Sequence, residues 1–135
     1  MGQKDYQQCM VIAKLISLIK QKTKVIVCPT QRESSGLAMS SRNLRLNETD
    51  KIMAASLYES LLLIKKLLTP ATNIPDLLAS VESKLNEQGF KVDYITIADA
   101  ENLSLVNKWN GNQKIVALVA AYLNNIRLID NLTLN

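Results

Sequence analysis

Arg32-Glu33-Ser34-Ser35-Gly36-Leu37-Ala38-Met39-Ser40-Ser41-Arg42-Asn43 divides the 135-residue chain into two differently patterned parts. An apolar run, Val25-Ile26-Val27-Cys28, precedes it and ends at Pro29-Thr30, so the stretch reads as a loop leaving a strand end. Gly36 permits a turn that residues with a Cβ resist. Ser40 and Ser41 set two hydroxyls and two N–H groups beside the Arg42 guanidinium, with Arg32 close by in sequence. Consecutive N–H groups in a turn form an anion-binding nest, and Arg adds bidentate, charge-assisted bonds to phosphate oxygens. A solvated polar loop without a ligand is the competing reading of the same residues. If the loop does grip phosphate, Ser34–Asn43 is expected to be mobile while it lacks that partner.

Upstream, Lys4 to about Lys20 reads as a helix whose apolar residues Met10, Val11, Ile12, Leu15, Ile16, Leu18 and Ile19 recur at helical spacing. Lys24 to Val27 then reads as a buried strand. A helix leading into a strand that ends at a ligand loop is the closing piece of a doubly wound α/β domain. The rest of such a domain is not in this sequence. The chain is therefore expected to be part of a longer protein and inactive alone.

Downstream, Asn47 reads as an N-cap, with Glu48 and Asp50 in the first turn of a helix running to about Leu68. Met53, Leu57, Leu61, Ile64 and Leu68 make its apolar stripe, and Thr69-Pro70 stops it. Asn73 caps a second helix through Gln88, with Pro75 in its first turn and Gly89 just beyond its end. Strands follow at Lys91–Ala98, Ile115–Leu123 and Ile126–Ile129, the last two joined by Asn124-Asn125 as a hairpin turn. Trp109, beside Asn110-Gly111, reads as a partly buried loop anchor. The fold class expected is α+β: two helices packed on a small antiparallel sheet, preceded by a helix–strand remnant of an α/β nucleotide-binding domain. The boundary falls near Pro29–Gln31, giving parts 1–30 and 31–135.

Composition narrows the chemistry. Hydrophobic residues make up 47% and charged residues 21%, an ordinary globular balance. No apolar run approaches the ~20 residues of a membrane helix. Two cysteines, Cys9 and Cys28, are too few for a disulfide framework and read as reduced core thiols of a cytoplasmic protein. Residues 1–46 hold eight Lys/Arg against Asp5 and Glu33, net +6; the remainder is net −2. Positive charge thus gathers around the loop, as a polyanionic ligand requires. With Tyr6 the only aromatic there, no stacking platform for single-stranded nucleic acid exists. The chain has no histidine, which removes Ser-His-Asp and Cys-His chemistry and any zinc site that needs His.

The loop resembles the Arg-Glu-x-x-Gly-Leu-Ala-Met/Leu-Ser-Ser-Arg-Asn signature of the pantoate–β-alanine ligases (pantothenate synthetases), matching it at every fixed position. In that family it is the counterpart of the KMSKS loop of class I aminoacyl-tRNA synthetases. Gly2-Gln3-Lys4-Asp5-Tyr6-Gln7-Gln8 is similar to a second family block, and Val92-Asp93-Tyr94 and Arg127-Leu128-Ile129-Asp130-Asn131 to its closing strands. The resemblance implies an adenylate-forming ligase of pantothenate biosynthesis that uses ATP with Mg²⁺. Pantoate is adenylated, and β-alanine then displaces AMP.

It further implies that Lys4, Ser40, Ser41 and Arg42 contact ATP phosphates and act in catalysis, and that Gly2 and Asp5 hold the ribose. Gln31 and Met39 match positions whose backbone holds the adenine, Gln3 lies in the ATP-binding block, and Gln8 matches the pantoate-binding glutamine. No residue is assigned to a metal. Residues 1–30 correspond to the end of the nucleotidyltransferase domain, and 31–135 to a lid domain carrying the KMSKS-like loop. A homodimer through the absent N-terminal domain is implied, with no nucleic acid and no membrane as partner. Two departures stand out: Gln3 replaces the usual Glu, and Arg45 replaces an aromatic. The alternatives are another adenylate-forming nucleotidyltransferase with a Ser-Ser-Arg loop, and a non-catalytic lid or interaction module.

Overall fold

Strands β1 (Phe90–Asp99), β2 (Ile115–Leu123) and β3 (Ile126–Thr133) form an antiparallel meander in the order β1-β2-β3. The computed structural model describes residues 1–135. Asn124, with φ of 52°, and Asn125 turn β2 into β3, and Leu123 pairs with Ile126. A register shift between Val92 and Tyr94 bulges β1 at Asp93.

Four helices complete the chain: α1 (Tyr6–Leu18), α2 (Glu48–Ala54), α3 (Ser56–Leu67) and α4 (Ile74–Glu87). Asn47 and Asn73 cap α2 and α4 as expected, accepting the N–H groups of Asp50 at 2.8 Å and Asp76 at 3.1 Å. Gly89, with φ of +94°, follows the end of α4, a conformation that costs a Cβ-bearing residue about 1–2 kcal/mol. The helix expected over 48–68 is interrupted at Ala55. There the Tyr58 N–H reaches the Ala55 carbonyl at 3.0 Å, a tightened 3₁₀ turn between α2 and α3.

The core lies between one face of the sheet and α3 and α4. Leu57, Leu61 and Ile64 of α3 and Val81 and Leu85 of α4 meet Ile95, Ile97, Ile115, Val119 and Leu128. The opposite face holds a smaller cluster of Ala98, Val116 and Leu118, with Tyr6, Tyr94 and Leu103 against it. β2 is apolar along its whole length because both of its faces are covered. Trp109 packs on the main core and donates its Nε1–H to the Gln113 carbonyl at 2.9 Å.

The N-terminal part departs from expectation. A 3₁₀ turn, Gln3–Asp5, precedes α1, and Lys24–Val27 forms no strand. Backbone bonds tie the segment to the N-terminal residues: the Met1 ammonium donates to the Ile26 carbonyl at 2.7 Å, the Cys28 N–H to the Met1 carbonyl and the Gln3 N–H to the Cys28 carbonyl, the last two at 2.8 Å. One short parallel bridge cannot sustain a ladder without a further neighbouring strand. Cys9 is buried as expected, but Cys28 is exposed, because nothing in the chain covers that segment. Both thiols are free. No helix is long and apolar enough to cross a membrane.

Candidate functional site

Successive residues of a strand face opposite sides, and β3 uses both. Leu128 and Asp130 face the main core and α3; Arg127, Ile129 and Asn131 face the 3₁₀ turn Gln3–Asp5. The loop lies across this end of the sheet as a small hairpin. Arg32 bridges Ala38, the Met39 N–H donates to the Gln31 carbonyl at 2.9 Å, and the Glu33 N–H to the Leu37 carbonyl at 2.8 Å. Gly36 turns it with φ of +91°, and a Cβ there would sit 2.7 Å from Tyr58 Cδ1.

Leu37 and Ala38 are buried, and the buried Asn43 donates its amide to the Ala38 carbonyl at 3.0 Å. Leu37, Ala38 and Asn43 thus tie the loop to the core side, while Ser41, Arg42 and Leu44 are exposed. Ser40 opens a 3₁₀ turn, Ser41–Arg45, its Oγ accepting the Arg42 N–H at 3.3 Å.

The two loop arginines point to different tasks. Arg32, read from sequence as a neighbour of the phosphate-type residues, faces inward instead. It forks onto Asp130 at 2.6 and 3.0 Å, donates to the Gly36 carbonyl at 3.0 Å, and stacks 3.6 Å above the Tyr58 ring. Asp130 is buried, so this fork satisfies a carboxylate that has lost its water. Arg42 stays at the surface, where one N–H reaches the Arg127 carbonyl at 3.2 Å. Its remaining donors are uncommitted.

A cleft of about 660 Å³ opens between the loop and the N-terminal turn. Gly2, Lys4 and Asp5 form one wall; Gln31, Met39, Ser40, Ser41 and Arg42 form the other, with Arg127 and Ile129 at the floor. Lys4 Nζ lies 3.6 Å from Asp5 Oδ1, a separation loose enough to leave the ammonium available. Arg127 carries a charge already engaged by Asp93, whose Oδ2 accepts from its NH2 at 2.7 Å and holds the guanidinium above its usual pKa. Lys4 and Arg42 are therefore the cations free to meet an anion.

A family model, Pantoate-beta-alanine ligase, matches residues 1–133. The chain belongs to the pantoate–β-alanine ligase family. It is 37% identical to the pantothenate synthetase of Coprothermobacter proteolyticus over 135 residues, covering 98% of this chain and 47% of that protein. It is 38% identical to the pantothenate synthetase of Cytophaga hutchinsonii, with 98% and 48% covered. The crystal structure of pantothenate synthetase from Thermus thermophilus superposes with a TM-score of 0.88 at 32% identity, covering 99% of this chain and 48% of that one. A pantoate-beta-alanine ligase from Francisella tularensis, crystallised with "Beta-gamma ATP and Beta-alanine", matches with a TM-score of 0.65 at 37% identity over 98% of this chain and 41% of that one. The chain thus spans about half the length of the relatives it matches.

Most residues singled out from the ligase signature meet in the cleft, although their segments lie far apart in sequence. Two do not. Gln3 is not among the lining residues; its backbone N–H donates to the Cys28 carbonyl and its backbone carbonyl accepts from Asn131 Nδ2 at 2.9 Å. Gln8 lies in the first turn of α1, exposed, beside a separate hollow of about 250 Å³ that shares Lys4 and Asp5 with the cleft. Arg127 and Ile129 line the cleft without having been singled out as site residues. Only strand alternation across Arg127-Leu128-Ile129, taken together with the fold, would have placed them there.

Proposed function

We propose that this chain supplies the ATP-gripping part of a pantoate–β-alanine ligase, which makes pantothenate through a pantoyl adenylate. One observation carries the reading: Lys4 and the Ser40-Ser41-Arg42 segment, 36 or more residues apart, line the same cleft with unspent donors. Lys4, Ser40, Ser41 and Arg42 hold the triphosphate. Gly2 and Asp5 face the ribose, the backbone at Gln31 and Met39 takes the adenine, and Gln8 faces pantoate from the adjoining hollow.

In the first step a pantoate carboxylate oxygen bonds to the α-phosphorus of ATP while the bond to the β-phosphate oxygen breaks, releasing pyrophosphate. Negative charge builds on the phosphate oxygens, where the Lys4 ammonium and the Arg42 guanidinium stabilise it. The β-alanine amine then attacks the pantoyl carbonyl, loses a proton, and AMP leaves with the bonding pair. Asp5 is the only carboxylate lining the cleft, which suits a Mg²⁺ held chiefly by phosphate oxygens and water. That ion neutralises phosphate charge when bound.

On this reading residues 1–30 belong with a nucleotide-binding half and residues 31–135 form the lid. The exposed apolar side chains Val11, Leu15, Leu18 and Ile26 support the division, since they suit a further packing layer. Turnover is expected only when that half is present.

The test is a titration of the chain with ATP, followed through backbone amide shifts. Saturable changes at Lys4 and Ser40–Arg42, lost in Arg42→Ala, are expected. Absence of saturable change at those amides up to millimolar nucleotide refutes the reading.

A further inference from the structure

The consecutive residues Asp130 and Asn131 send their side chains to opposite faces of β3, paired across to Val119 and Leu118. Each takes hold of one wall of the cleft. On the core face, Asp130 accepts both prongs of Arg32, whose NH1 also reaches the Gly36 carbonyl at the loop's turn. On the other face, Asn131 Nδ2 donates to the Gln3 and Lys4 carbonyls, both at 2.9 Å. Both residues are buried, at 5% and 3% exposure; neither lines the cleft itself, and both line the adjoining hollow beside Gln8.

The residue types suit this double hold. A primary amide carries two donors on one nitrogen and can span successive carbonyls; a carboxylate cannot donate and an aliphatic side chain cannot bond. A carboxylate matches the planar fork of Arg with two parallel bonds, which fixes direction as well as distance. The two side chains share one backbone, so the walls are referenced to the same point of a strand. The Asn131 N–H, bonded to Asp130 Oδ1 at 2.8 Å, tightens that link.

We infer that Asp130 and Asn131 are positioning residues that set the separation of Lys4 from the Ser40-Ser41-Arg42 segment, and so the fit of a polyphosphate between them. This rests on the cleft being a triphosphate site. Asn131 acts through Lys4, and Asp130 acts through Arg32 on the loop that carries Arg42.

Two measurements on the whole chain test it. In ligand-free protein, Asn131→Ala should speed amide exchange at Gln3 and Asp5 tenfold or more relative to Gly36 and Met39; Asp130→Asn should reverse the pattern. Equal acceleration at all four amides in both variants overturns the inference, because it reports only global destabilisation. In the second, ATP affinity is read by amide shifts in a double-mutant cycle. Asn131→Ala should weaken ATP binding about tenfold in the native background and less than about twofold in Lys4→Ala, with Asp130→Asn coupled likewise to Arg42→Ala. Asn131→Ser, which keeps one short donor, replaces Asn131→Ala if the latter is unfolded. Equal losses in both backgrounds overturn the positioning role while the nucleotide reading stands. A native chain that binds no ATP overturns both.

Discussion

Gly36→Ala should be the most damaging single-methyl change in the loop, and the structure gives the size of the effect. The left-handed backbone at φ of +91° costs a residue with a Cβ about 1–2 kcal/mol. The added carbon would lie 2.7 Å from Tyr58 Cδ1, and the ring cannot retreat freely because Arg32 stacks on it at 3.6 Å. Overpacking of this kind typically costs about 1–3 kcal/mol. Together these give about 2–5 kcal/mol. At roughly 2.1 cal/mol/K per residue, unfolding this chain has an entropy of about 0.28 kcal/mol/K, so Tm should fall by about 7–18 °C. The assay is thermal unfolding followed by circular dichroism. Gly2→Ala is the control, since nothing lies within 4 Å of its added Cβ; it should change stability by less than about 0.5 kcal/mol. In a Tyr58→Ala background the steric part disappears, and the cost of Gly36→Ala should drop to about 1–2 kcal/mol. A Tm within about 2 °C of wild type, or an equal loss in both backgrounds, would refute the reasoning.

Arg42→Ala, on the surface, should alter stability by less than about 0.5 kcal/mol. In the full-length ligase it should slow pantoate-dependent pyrophosphate exchange about 10²-fold or more, the scale for one lost charge-stabilising donor, and Arg42→Lys should recover only part. Cys28 should react with a thiol reagent within the native protein, and Cys9 only on unfolding, which stopped-flow labelling with and without denaturant distinguishes. The Tyr6 hydroxyl donates to the Ala100 carbonyl at 2.6 Å, and burial, then the Asp99 charge, raise its pKa above the usual 10.0. The folded state holds that proton more tightly than the unfolded one. Its contribution is therefore complete below pH 10.0 and lost as pH rises through the higher folded value. Ultraviolet titration should show one late tyrosine that vanishes in Tyr6→Phe.

Local chemistry was the most legible part of the sequence. The caps at Asn47 and Asn73, the Asn124-Asn125 turn and the glycine after α4 each depend on residues within four positions, and each stands where the pattern put it. The Ala55 break was hidden because alanine favours helix and carries no mark of a tightened turn. Lys24–Val27 has the apolar content of a strand, but a strand needs a neighbour, and pairing is not written in one segment. Cys28 followed that misreading to the surface. At the cleft, the signature named most of the lining residues but missed Arg127 and Ile129, and it did not show which way each side chain turns. Arg32 and Arg42 look alike in sequence; a buried carboxylate 98 residues away draws one of them inward.

The same long reach governs when the cleft can exist during synthesis. The wall at Gln3 is made well before the amide that holds it, Asn131, which is 128 residues further on. Closing the 98-residue span from Arg32 to Asp130 costs about 2 kcal/mol more than closing a ten-residue loop, by the logarithmic scaling of chain entropy. The helices and the β2–β3 hairpin, joined by only two residues, can form from neighbouring contacts, so they should come first in folding. That hairpin then docks against β1 and the N-terminal segment and brings both anchors with it. A chain lacking residues 130 and 131 would retain most of the core-forming helices yet present two untethered walls, so the cleft takes its shape only when those two side chains are in place.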